Sequence, residues 1–134
     1  ASTAQILGNN ECFEPITSNI YVRRVLAGEF VLCNKYLQEE LLGIGKWNNE
    51  VKNSIIANQG SIQHLKLPDC VKDVFKTVWE IKQRVVIDMA ADRGKFIDQS
   101  QSMNLFMSDT SSDKVTSALF YGWKKGTPIS CKAS

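Results

Sequence analysis

Residues 69–102, DCVKDVFKTVWEIKQRVVIDMAADRGKFIDQSQS, decide the fold class. Over most of this stretch Val71, Val74, Phe75, Val78, Trp79, Ile81, Val85, Met89 and Ala90 recur at helical spacing and trace one broad apolar face. Lys72, Asp73, Lys76, Glu80, Lys82, Gln83 and Asp88 fall mostly elsewhere. Pro68 suits the first helical turn, where its missing N–H would have no partner anyway. Thr77 is the candidate point at which the stretch divides into two helices, and Gly94 is a fitting cap after it. Phe96 and Ile97 then open a strand that runs through Asp98 to Ser102. A long amphipathic helical region feeding a strand predicts a helix-rich α/β fold.

Working outward, the segments on either side agree with that class. Upstream, Ile20–Val25 and Glu29–Cys33 are rich in β-branched and aromatic residues and flank Ala27-Gly28, which predicts a hairpin or a strand-turn-strand corner. Asn34 can cap a helix over Lys35–Leu42, ended by Gly43 and Gly45. Asn48 can cap a second over Asn49–Asn58, with Val51, Ile55 and Ile56 apolar and Gly60 as its stop. Ala1–Gly8 reads as a short helix with Ser2 or Thr3 at its start, and Asn9–Pro15 as an irregular connection. Downstream, Asp109–Asp113 is a polar loop. Asp113 can cap a last helix over Lys114–Lys125, with Val115, Leu119 and Trp123 at four-residue spacing. The tail from Gly126 to Ser134 carries Pro128 and small polar residues and is expected to be poorly ordered.

Composition narrows the function classes. The chain has 134 residues, 43% hydrophobic and 22% charged, ordinary values for a globular protein. The net charge of +2 is dispersed, and the densest basic pairs, Arg23-Arg24 and Lys124-Lys125, are short, so no nucleic-acid or membrane partner is implied. No apolar run approaches the roughly 20 residues needed to cross a bilayer. Cys12, Cys33, Cys70 and Cys131 are widely spaced and form no CxxC pair, so free thiols in a reducing cytosol are the simplest reading. The chain opens abruptly at Ala1, as expected if something upstream is missing or if an initiator methionine has been removed.

Few residues could carry chemistry unaided. His64 is the single histidine, so no two-histidine metal site exists, and no serine sits in a GxSxG elbow. Glu39 and Glu40 read as a solvated helix face. Glu11 and Glu14 bracket Cys12 in a loop and are the pair that could form a site, though spacing alone favours ordinary loop carboxylates. No Gly-rich phosphate loop is present, and Gly43 with Gly45 lacks a third glycine in place. One feature has a mechanism. Ala1-Ser2-Thr3 opens a helix with small and hydroxyl residues, and a helix N-terminus offers unpaired N–H groups and positive partial charge to a phosphate. An ordinary capped helix start fits the same residues.

Six strings, in order, carry a resemblance: ASTAQILGNNECFEP at 1–15, TSNIYVRRVLAGEF at 17–30, NQGSIQ at 58–63, KTVWEIKQ at 76–83, MAADRGKFIDQSQSMN at 89–104 and FYGWKKG at 120–126. They resemble the large, catalytic subunit of class I ribonucleoside-diphosphate reductase in its eukaryotic and viral form. The resemblance implies the C-terminal part of a ten-stranded α/β barrel, over residues 1–126, followed by a divergent tail at 127–134. It implies an enzyme that reduces the 2′-hydroxyl of ribonucleoside diphosphates to deoxyribonucleotides. It turns the bland helix start into half of a substrate-diphosphate cradle, at Ala1, Ser2 and Thr3.

The same resemblance says what this chain lacks. The family's radical-forming cysteine with its asparagine and glutamate partners, its reducible cysteine pair and its regulatory sites lie upstream. After FYGWKKG the family continues into a strand with two adjacent tyrosines and ends in a cysteine pair. Here Thr127 to Ser134 diverges, Tyr121 belongs to FYGW and is no substitute, and Cys131 is single. No catalytic residue, metal or cofactor is therefore assigned to this chain. The implied partners are the substrate, the upstream part of the large subunit and the small radical-generating subunit, in the cytoplasm. Three readings stand side by side: a fragment or split-gene half that completes a reductase, a non-catalytic remnant that binds other reductase subunits, and a pseudogene product without a role. In each, the isolated chain is expected to be inactive and aggregation-prone, because a cut barrel exposes strand edges and apolar faces.

Overall fold

The structure, a computed structural model, describes residues 2–10, 12–109, 111–126 and 129–133; for Ser2, Gln5 and 129–133 the backbone alone is described. Helices and two short sheets mix along the chain, as the sequence predicts for an α/β fold. The chain forms two compact units. Residues 16–80 make one; residues 1–15 and 81–134 make the other. Each unit has its own cluster of buried apolar residues.

In the unit of residues 16–80, strands β1 (Ile20–Val25) and β2 (Gly28–Cys33) pair antiparallel from Ile20↔Cys33 to Val25↔Gly28. Helices α2 (Lys35–Gly43) and α3 (Asn49–Ala57) begin where their caps dictate. The Asn34 side chain accepts from Tyr36 N, and the Asn48 side chain accepts from Val51 N at 2.7 Å. Ile20, Leu37, Leu41, Ile55, Ile62, Leu67 and Val71 form the core, with Trp47, Val51, Leu65 and Phe75 packed against it. Burying each fully enclosed Leu or Ile stabilises the unit by about 1.5–3 kcal/mol.

A buried polar hub ties these elements together. Asn19 is fully buried, and its Nδ2 donates to the carbonyls of Gly60 and Phe75, both at 2.9 Å. Its own carbonyl accepts from Asn34 N at 2.8 Å. Gly60 sits at φ +83°, and a Cβ there would lie 1.9 Å from Ser18 Oγ, so this position requires glycine. The ends of the unit also meet: Val78 N donates to the Ile16 carbonyl at 2.8 Å.

The 69–93 stretch is not one helix pair with one face. It breaks into α4 (Asp69–Val74), a 3-10 turn (Val78–Glu80) and α5 (Gln83–Gly94). The division falls around Thr77, as expected. Thr77 N donates to Glu80 Oε2 at 2.7 Å, and Ser61 Oγ donates to the other oxygen of that carboxylate. Because the axis is reset there, the apolar periodicity does not continue. Val71, Val78, Val86, Ile87 and Ala90 are buried, whereas Val74, Trp79, Val85 and Met89 are exposed. Pro68 stands one residue before α4 rather than inside its first turn.

The other unit holds α1 (Ser2–Ile6), α5, β3 (Gln101–Leu105), α6 (Ser112–Lys124) and β4 (Ile129–Ala133). Val86, Ile87 and Ala90 of α5 pack on Met103 and Leu105 of β3, with Met107, Ala118 and Tyr121 against them. The strand starts later than Phe96. Hydrogen bonds from Phe96 N to Arg93 O and from Ile97 N to Gly94 O turn the chain, and Phe96 stays exposed. Ser111, not Asp113, caps α6; its Oγ accepts from Lys114 N, and Asp113 lies in the first turn, where an acid suits the helix dipole.

β4 pairs parallel with β3, from Gln101↔Ile129 to Leu105↔Ala133, with α6 as the crossover between them. An extended segment here satisfies backbone groups along one edge of β3. Thr127, Pro128 and Ser134 lie outside the described residues.

Candidate functional site

The sequence points to the start of α1. The helix runs from Ser2, and its turn closes through Leu7 N to Thr3 O at 3.1 Å and Asn9 N to Ala4 O at 2.9 Å, with Gly8 at φ +70°. Thr3 is exposed in the first turn. Ala1 lies outside the described residues, as does the side chain of Ser2. At five residues α1 is too short to hold itself as a helix, so what fastens it matters.

Two contacts fasten the segment that follows. The Arg93 guanidinium, in the last turn of α5, lies over the Phe13 ring at 5.0 Å. Glu14 accepts two hydrogen bonds from Asn104 in β3, from the backbone N at 2.9 Å and from Nδ2 at 3.4 Å. Gln83 and Gln101 tie α5 to β3 in a similar way: Gln83 Oε1 accepts from Phe106 N, and Gln101 Nε2 donates to the Ala90 carbonyl, both at 2.9 Å. The Glu14–Asn104 pairing spans ninety residues, and only its two family-like strings, NECFEP and QSQSMN, could have hinted at it.

A second polar cluster joins α5 to α6 around Tyr121, Asp88, Arg84 and Lys125. Sequence reading did not find it, because its members lie on two elements. The Tyr121 hydroxyl, then the Lys125 ammonium, hold the Asp88 carboxyl below its ordinary range.

The other sequence candidates resolve into local structure. His64 is exposed, with Nε2 2.7 Å from Ser54 Oγ. Glu39 and Glu40 are exposed on α2. Glu14 is engaged with Asn104, and Glu11, the other carboxylate beside Cys12, lies outside the described residues. Burial pushes the Cys33 thiol up, partly offset by Lys52. Among the described residues no three His, Cys, Asp or Glu side chains gather where a metal could sit, and no helix is long and apolar enough to cross a membrane.

By fold, the segment is of the α/β barrel class. The family described as ribonucleotide reductase, barrel domain, matches residues 1–128. The ribonucleoside-diphosphate reductase large subunit of Dictyostelium discoideum is 63% identical over 127 residues, which is 94% of this chain and 15% of that protein. The large subunit of vaccinia virus (strain Copenhagen) is 60% identical over 126 residues, 94% of this chain and 16% of that protein. Among solved structures, the class Id ribonucleotide reductase alpha subunit of Actinobacillus ureae matches with a TM-score of 0.84 at 34% identity, covering 99% of this chain and 25% of that one. The chain belongs to the ribonucleotide reductase barrel-domain family. It spans about a sixth of the curated relatives it matches.

Proposed function

We propose that this chain serves as the C-terminal portion of the ten-stranded α/β barrel of a ribonucleoside-diphosphate reductase large subunit. Its work is in reducing ribonucleoside diphosphates to deoxyribonucleotides, in the cytoplasm. Identity of 63% over 127 residues carries the reading, since 94% of the chain, and so residues of both compact units, is matched. The chain's own part is to bind and orient. The first N–H groups of α1, with Ala1, Ser2 and Thr3, form half of a cradle for the substrate diphosphate, and α5, β3 and α6 supply framework. No cofactor is assigned to this chain; the radical comes from the small subunit, and the reacting cysteines come from upstream parts of the large one. Positioning without a reacting group gives no turnover, so the chain alone is inactive.

A chimera tests this. Residues 1–126 replace the matching segment of the Dictyostelium large subunit, and ribonucleoside-diphosphate reduction is assayed with the small subunit. Turnover of the same order as the parent is expected, and none from the chain alone. A folded chimera that binds nucleotide but gives no product would overturn the proposal.

A further inference from the structure

We draw no further inference here: the strongest candidate, the β1–β2 hairpin with Val22 and Val31 exposed on one face and Tyr21 and Phe30 on the other, carries nothing, because nothing in the structure shows what covers it.

Discussion

The Tyr121 hydroxyl donates a 2.6 Å hydrogen bond to Asp88 Oδ1, and through it α6 is held on α5. Arg84 Nε donates to the same hydroxyl at 2.9 Å, and Lys125 Nζ lies 3.0 Å from Asp88 Oδ1. Both cations also stand over the Tyr121 ring, at 4.7 and 5.5 Å. Helix α6 is thus clamped by polar groups as well as by Ala118, while Leu119, Phe120 and Trp123 are exposed.

That clamp should be pH-dependent, with a definite sign. Asp88 is held below its ordinary value of 3.8, first by Tyr121 and then by Lys125. A depressed carboxyl stabilises the fold above its unfolded value and loses that contribution as pH falls through the lower folded value. Lys125 is raised above 10.5, first by Asp88, so its share is present below 10.5 and lost as pH climbs through the folded value. Between these limits Asp88→Asn should speed amide exchange in α6 peptides of a complete large subunit. Hydrogen-exchange mass spectrometry, corrected for intrinsic rates, should show the difference between variant and parent shrinking below pH 3.8. An equal difference at pH 3 and pH 7 would refute the clamp.

The hub of the 16–80 unit should tolerate little. Asn19→Ala strands the Phe75 carbonyl and leaves the Gly60 carbonyl only the 3.3 Å bond from the backbone N of residue 19. Leaving buried polar groups unpaired costs about 1–3 kcal/mol. At about 2 kcal/mol, exchange across the 16–80 peptides would rise roughly thirtyfold. Gly60→Ala should be at least as damaging, because the Cβ meets Ser18 and the backbone at φ +83° is strained for alanine. Pairing it with Ser18→Gly should recover part of the loss by removing the steric share alone.

The apolar core sets a third expectation. Leu41 is fully enclosed with Leu37 and Ile55. Leu41→Ala should cost about 2–5 kcal/mol, whereas Ile56→Ala, at an exposed site on α3, should change stability far less. Urea midpoints of a complete subunit, followed by protease resistance of the 16–80 region, would separate the two.

The chain on its own should not melt cooperatively. Leu26, Phe96, Phe13, Val74 and Trp123 are strongly exposed, the first fully so. Exposed apolar side chains on this scale favour association. Calorimetry of the isolated chain should show a broad transition or none, with strong binding of an apolar dye. A sharp two-state melt of a monomer would contradict this. Phe120→Ser with Trp123→Ser should raise its solubility without loosening α5, because neither residue is buried.

What the sequence revealed was local, and what it hid was tertiary. Asn34, Asn48 and the hairpin around Gly28 announce themselves, because a cap or tight turn involves residues within a few positions of each other. The helical face of 69–93 misled. Periodicity assumes one continuous axis, and the Ser61–Glu80–Thr77 interaction resets it. Asp113 looked like a cap because acids suit both the cap and the first turn, and Ser111 took the cap. The tail carries little strand signal of its own; β4 exists by pairing with β3, which composition does not encode. The start of α1 at Ser2 and Thr3 was legible as a helix start. Glu14 was legible only as half of a carboxylate pair, and its true partner, Asn104, is remote in sequence.

The hydrogen bond from Val78 N to the Ile16 carbonyl has a consequence for modularity. Residues 16–80 leave and return through adjacent backbone groups, so that stretch is a closed cassette spliced into the chain rather than a link in it. Its length can change in the surface turns at small entropic cost, since closure grows only slowly with loop length. The hairpin turn at Leu26 and Ala27 is the natural place for new termini once the old ends are joined.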